Sequence, residues 1–450
     1  MRAITLMVLL GATQVAAAQI GLPAVRLPNL PAVGLPGSVG QDLLSGNGQG
    51  ADLDVRTRRE LRQARIRELL RRHADVLEAD PHGDPIVRGQ VLLLSPDGAA
   101  LEAAAAAGFT EVRELSLAPL GMRIVVLHTA DHTARALKAL ESRDPAATYD
   151  FNHIYLDSGG QVASIARAPP DGGAQPAPEE GAAAPAETHG AAATTVVRVG
   201  LIDSGVDADH AAFRGLAIHR HGCAGALVPD SHGTAVASLL VGRDGAFRGA
   251  APGAELYAAD VFCGAATGGG VDTVVEAFAW LLGERVPVIN VSLVGPANNL
   301  LRTVVAGVIA RGYLVVAAVG NDGPAAPPLY PAAWPGVIGV TAVDARGRVL
   351  AEAERGSQVK FAAPGADMAA ARTPQGYVLV RGTSFAAPLV AGLLALALKA
   401  PDEAAAHSAL ADLAAHADPH GAHGVDPVYG YGVVAAGLRP QPALTHLRPN

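Results

Sequence analysis

At 450 residues, half of them hydrophobic and 17% charged, the chain exceeds one typical domain and can bury a sizeable core. Its 34 Lys and Arg against 42 Asp and Glu leave a formal net charge of −8, which argues against general nucleic-acid binding. A soluble protein of two folded units joined by linkers is expected.

The first stretch, MRAITLMVLLGATQVAAAQ, sets Arg2 before an apolar run from Ile4 to Leu10 and ends in the small Ala16, Ala17 and Ala18. This is the pattern of a signal peptide over residues 1–18, so a secreted or periplasmic location is expected. The apolar run is too short for a membrane anchor, and no later run approaches about twenty apolar residues. In an oxidising compartment the two cysteines, Cys223 and Cys263, either form one bridge or stay separate as small buried hydrophobes. Spacing alone does not choose between these.

Residues 19–50 are rich in Pro, Gly and Leu without periodicity and read as a flexible leader. Residues 51–80 read as a basic amphipathic helix, with Ile66, Leu69, Leu70, Val76 and Leu77 along one face and arginines on the other. A solvated arginine face is expected there rather than an anionic partner. Over residues 85–157 the order β-α-β-β-α-β predicts a small ferredoxin-like α+β domain. Residues 166–195 form an Ala/Pro/Gly linker, expected to be disordered and open to cleavage.

Across residues 196–440 strand-like runs such as VVRVGLID, VPVINVSL and LVVAAVGN alternate with helical ones. Continuous rather than alternating hydrophobicity means burial on both faces. A parallel sheet between two helical layers follows, an α/β fold, with a short tail at 441–450. In such sheets functional groups gather at the carboxyl ends of the strands, where Asp203, Ser292 and Asn321 fall.

The chemistry centres on Ser384 in RGTSFAAP, at the start of an apolar helix. There the backbone N–H groups and the positive helix end can stabilise a developing oxyanion. A serine hydroxyl needs a base, for which His232 in DSHGTAVAS is the candidate. Asp203, ending VVRVGLID, would orient the imidazole and stabilise its charged form. Asn321 in AAVGNDG would give a side-chain N–H to the oxyanion beside the Ser384 backbone N–H. Lone acids and histidines are more often structural, so the set carries more weight than any member.

The order Asp, His, Ser, with the motifs IDSGVDADH, SHGTAVAS, NVSL, AAVGNDG, FAAPG and RGTSFAAP, resembles that of subtilisin-like serine proteases, the subtilases. The resemblance implies a three-layer protease domain that acts on polypeptides by an Asp-His-Ser triad and needs no cofactor. It implies a zymogen whose ferredoxin-like unit is a propeptide, both intramolecular chaperone and inhibitor, removed by self-cleavage, and a monomeric enzyme. By the same resemblance Ser292, Leu293 and Val294, and Ala318, Val319 and Gly320, are the backbone walls of a substrate groove, with which an extended peptide would pair. A Cys223–Cys263 bridge would match those near the catalytic histidine of some relatives. Structural calcium occurs in relatives, but no loop here has a clear oxygen-ligand spacing. The histidines at 219, 221, 420 and 423 lack the company of a zinc site, so no metal is assigned.

Departures from the pattern are Val294 where glycine is common, Ala235 after HGT where histidine is common, and Leu329 at a pocket floor where glycine is common. They suggest a shallow pocket for small or medium apolar side chains. The alternative is a catalytically silent subtilase fold that binds or regulates. An esterase is disfavoured, since the chain has no G-x-S-x-G elbow and a different triad order.

Overall fold

The computed structural model describes residues 55–158, 161–163, 196–422 and 424–443. The signal segment, the leader and the 166–195 linker lie outside the described residues. Helix α1 (Val55–Arg72) comes first, then strands β1 (Leu77–Ala79) and β2 (Pro85–Leu94), helix α2 (Gly98–Ala106), β3 (Thr110–Leu117), β4 (Met122–His128), α3 (Thr133–Arg143) and β5 (Thr148–Asp157). The helix expected over 51–80 stops at Arg72, and Leu77–Ala79 instead pair antiparallel with β2. Tertiary contacts outweigh helical propensity there. Leu77 is buried, and the Glu78 carboxylate accepts the Thr133 N–H at 3.1 Å, at a helix start whose N-cap side chain makes no bond of its own.

β5, β2, β4 and β3 form an antiparallel sheet in that spatial order, the β-α-β-β-α-β arrangement. Alternation along the strands gives the sheet two apolar faces. Val91, Leu93, Val125 and Leu127 pack under α2 and α3. Leu92, Leu117, Ile124 and Val126 face the other way, into the second unit.

That unit begins after β6 (Gln161–Ala163). It contains β7 (Arg198–Asp203), β8 (Ile218–His221), α4 (Ser231–Val241), the short β9 (Arg243–Asp244) and β10 (Phe247–Arg248), β11 (Glu255–Asp260), β12 (Gly269–Gly270) and α5 (Val271–Gly283). Next come β13 (Val288–Val291), β14 (Leu293–Val294), α6 (Asn299–Ile309), β15 (Leu314–Ala318), β16 (Ile338–Val343), β17 (Val359–Pro364), β18 (Met368–Ala371), β19 (Tyr377–Arg381), α7 (Thr383–Ala397) and α8 (Glu403–Ala415).

Seven parallel strands lie in the order β17-β16-β15-β13-β7-β11-β8. The continuous apolar runs are buried on both faces: α4 and α7 cover one, α5 and α6 the other. This is the expected three-layer α/β architecture.

The outer surfaces of α5 and α6 receive the bare face of the small sheet. Polar groups of β5 also complete both helix starts. Asn152 Oδ1 accepts the Asp272 N–H at 3.2 Å, and Asp150 Oδ2 accepts the Asn299 N–H at 2.6 Å. A carboxylate or amide oxygen at a helix N-terminus satisfies donors that the helix itself cannot. Arg113 of β3 adds ion pairs to Asp272 and Glu276 of α5. Among the described residues no helix is long and apolar enough to cross a membrane.

Candidate active site

Asp203 is the last residue of β7 and fully buried, where the parallel sheet delivers its carboxyl ends. His232 lies in the first turn of α4, whose N-cap Asp230 accepts the His232 N–H at 2.8 Å. The imidazole Nδ1 is 2.7 Å from Asp203 Oδ1, which also accepts the Ser204 N–H at 2.7 Å. Burial disfavours the imidazolium, yet the charge and hydrogen bond of Asp203 outweigh it and push His232 up to about 9. Its Nε2 is buried and has no hydrogen-bond partner among the described residues. The ring packs 5.6 Å, centroid to centroid, from Phe385, the residue after Ser384.

Ser384 sits in the first turn of α7, after Gly382, whose φ of 141° favours glycine. Ser292 Oγ donates to the Ser384 carbonyl at 3.1 Å, and is itself held by Asn290 Nδ2 at 2.9 Å. Asn321 is oriented by its oxygen, which accepts the Thr383 N–H at 3.1 Å. Its Nδ2 is thereby left free to donate elsewhere.

What occupies this centre is the end of β5. The strand lies between two edges of the second unit, pairing antiparallel with β14 on one side (Leu293 opposite Asp157, Val294 opposite Leu156) and β12 on the other (Gly269 opposite Tyr155, Gly270 opposite Ile154). The Ser158 N–H continues the ladder to the Ser292 carbonyl at 3.3 Å. The Ser158 carbonyl accepts from Asn321 Nδ2, and the hydroxyls of Ser158 and Ser384 touch. β6 pairs antiparallel with β19, the strand that leads into α7.

Asp203, His232, Ser384 and Asn321 thus gather at one locus, although the described contact of the Ser384 hydroxyl is to Ser158. Ser292, Leu293 and Val294 do line β5. Ala318, Val319 and Gly320, expected as the other wall, do not pair with β5. The Val319 and Gly320 N–H groups are taken by Val340 and Thr383, and the Gly320 carbonyl by Glu354. On that other edge β5 meets Gly269–Gly270 instead, in a glycine run that lets the strand come close. A Cβ on Gly268, the residue before, would lie 2.5 Å from the Tyr155 carbonyl of β5. The run of three glycines before α5 was the legible signal for it.

Residues 194–432, more than half of the chain, match the subtilase family. The chain belongs to that family. Over 218 residues it is 34% identical to subtilisin E of Bacillus subtilis (strain 168), covering 45% of this chain and 55% of that protein. It is 33% identical over 218 residues to a subtilisin of Bacillus pumilus, covering 45% and 76% respectively. This subtilase spans about half the length of the first of these relatives. Its fold resembles that of fervidolysin from Fervidobacterium pennivorans, a keratinolytic enzyme related to subtilisin, with a TM-score of 0.62 and 20% identity over 81% of this chain and 62% of that one.

In this subtilase Cys223 and Cys263 are joined, with Cα atoms 5.2 Å apart. The bridge lies beside Asp260, which stands opposite Asp203 in the sheet and whose Oδ1 accepts the N–H groups of Phe262 and Cys263. Among the described residues the group with metal-ligand spacing is Cys223, Asp260 and Cys263, but both sulfurs are spent in the disulfide. His219 and His221 stack on Tyr257 and Trp280.

Proposed function

We propose that this subtilase is an exported serine endopeptidase, made as a zymogen, and that its first cut falls in its own chain between Ser158 and Gly159. One observation carries the reading: the Ser158 carbonyl accepts a hydrogen bond from Asn321 while Ser158 touches the Ser384 hydroxyl. A carbonyl at the end of an added strand, beside a serine at a helix start, is a substrate's geometry.

In the reaction Ser384 Oγ attacks the Ser158 carbonyl carbon as its proton passes to His232 Nε2. Asp203 holds Nδ1 and stabilises the imidazolium. Charge developing on the Ser158 oxygen is met by the Asn321 Nδ2–H and by the positive start of α7. The Ser158–Gly159 bond then breaks, and His232 gives its proton to the Gly159 amine. Water, deprotonated by His232, frees Ser158 as a new carboxylate and restores Ser384. Residues up to 158 would remain paired to β12 and β14 as a product that blocks the groove. The region 85–157 then acts as propeptide and inhibitor, and polypeptides binding in the same extended form become substrates once it leaves.

Export is supported by the signal-like start and by the bridge, which persists in oxidising compartments. The silent-fold alternative predicts no reaction. The test is the purified full chain: wild type should yield a fragment beginning at Gly159 and label with a fluorophosphonate, and Ser384→Ala should do neither. A fragment beginning elsewhere would displace the proposed bond; a wild type that neither labels nor cleaves would favour the silent fold.

A further inference from the structure

The carbonyl of Ser384 needs a partner that its own helix cannot give. In an α-helix the carbonyl of one residue accepts the N–H of the residue four further on, and for Ser384 that residue is Pro388, which has no N–H. The proline ring also crowds the carbonyl four residues before it. Ser384 is fully buried, so that carbonyl is costly to leave unpaired.

The donor comes from the segment that seats β5. Ser292 Oγ donates to the Ser384 carbonyl at 3.1 Å and accepts from Asn290 Nδ2 at 2.9 Å. A serine hydroxyl carries one hydrogen; with Asn290 donating to the oxygen, that hydrogen is left for Ser384. Asn290 is fully buried in β13, opposite Leu201 of β7 and Val316 of β15, so this chain of bonds is anchored in the middle of the parallel sheet. The Ser292 carbonyl meanwhile accepts the Ser158 N–H at 3.3 Å. One residue thus holds the backbone of the attacked segment by its carbonyl and that of the nucleophile by its hydroxyl.

We propose that Ser292 and Asn290 are positioning residues for the reaction: their side chains replace the helix bond that Pro388 forgoes, and so set Ser384 against the carbonyl it attacks. The inference rests on the protease reading and names what aligns its nucleophile. The Ser292 group that binds the substrate backbone is main chain and survives loss of the hydroxyl. Removing the hydroxyl therefore misplaces the nucleophile while leaving the bound strand its partner, a loss carried by kcat rather than by KM. Pro388 belongs to the same device. An N–H at position 388 would offer the Ser384 carbonyl a second donor and release it from Ser292.

The test uses the self-processed full chain and a quenched peptide, Tyr-Leu-Asp-Ser-Gly, patterned on residues 155–159. Ser292→Ala should lower kcat about 10-fold with KM within about twofold of wild type, the scale of one buried hydrogen bond. Asn290→Leu, which keeps the volume and removes the donor, should lower kcat at least about threefold. In Pro388→Ala the Ser384 carbonyl regains a helix partner, so adding Ser292→Ala there should cost no more than about threefold; the two losses do not add. A Ser292→Ala loss carried by KM, a kcat unchanged in Ser292→Ala or Asn290→Leu, or a full 10-fold loss persisting beside Pro388→Ala would each overturn the proposal. Circular dichroism checks that each variant is folded. Should Ser292→Ala not fold, Ser292→Cys, a weaker donor of similar shape, takes its place, with the same outcomes at smaller amplitude. A wild type that labels with no fluorophosphonate and cleaves no peptide refutes the protease reading instead.

Discussion

Tyr155 holds β5 in the groove, and its removal should slow self-cleavage steeply. The ring is 1% exposed, and a Cβ on Gly295 would lie 2.7 Å from it, so the ring rests directly on that glycine. Its hydroxyl donates to the Pro296 carbonyl at 2.8 Å. Truncating a buried aromatic ring to alanine typically costs about 3–5 kcal/mol. If only half of that falls on the seated strand rather than on the small domain itself, occupancy of the reactive position drops by about tenfold or more. Tyr155→Phe keeps the ring and leaves one carbonyl unpartnered, about 1 kcal/mol, or about fivefold. Refolded full-length chain, sampled by gel for the fragment beginning at Gly159, gives both rates. Circular dichroism checks that each precursor is folded. Wild-type rates in both variants, or a larger loss in Tyr155→Phe than in Tyr155→Ala, would refute the reasoning.

Four further outcomes are expected. Asn321→Ala should lower turnover by about 10²–10³, the loss measured for such a donor in subtilisin, with precursor folding unchanged by circular dichroism. Because His232 is raised from 6.5 to about 9, its charged pair with Asp203 stabilises the closed precursor fully below pH 6.5, and that contribution fades as pH rises through about 9. The neutral base forms over the same interval, so self-cleavage should accelerate from pH 6.5 to about 9; a rate flat across that range would contradict the pairing. Replacing Cys223 and Cys263 together by serine opens a closure between residues 40 apart, worth about 4 kcal/mol on the chain-entropy scale, and should lower the melting temperature. Arg62→Ala removes the α1 ion pair to Asp322, a partly exposed contact worth about 1 kcal/mol or less; it should shorten retention of the cleaved N-terminal region on a sizing column by no more than a few fold.

The parallel sheet was legible because its strands carry an unbroken apolar signal, and VINV and LVVAA are buried at every position. Asp203, His232 and Ser384 were legible because each sits at a strand end or helix start where sequence context is distinctive. Ser158 was not. Nothing in YLDSG marks it, and its place comes from a contact between residues 226 apart in the chain. Gly269–Gly270 escaped for a related reason: a groove wall made of backbone leaves little trace in side-chain chemistry. The end of α1 was misplaced because Leu77 continues the helical spacing, while pairing with Val87 and the Glu78 bond to α3 decide its conformation.

The small sheet owns helices on just one side and borrows α5 and α6 for the other. Once expelled it would carry Leu92, Leu117, Ile124 and Val126 into water with nothing to lie on. Under the proposed self-cleavage, a detached copy would be poorly equipped to survive beside the protease, and each digested copy would be lost to rebinding. The proposed activation would thereby acquire a direction: a latch that discards its own bolt cannot be closed again.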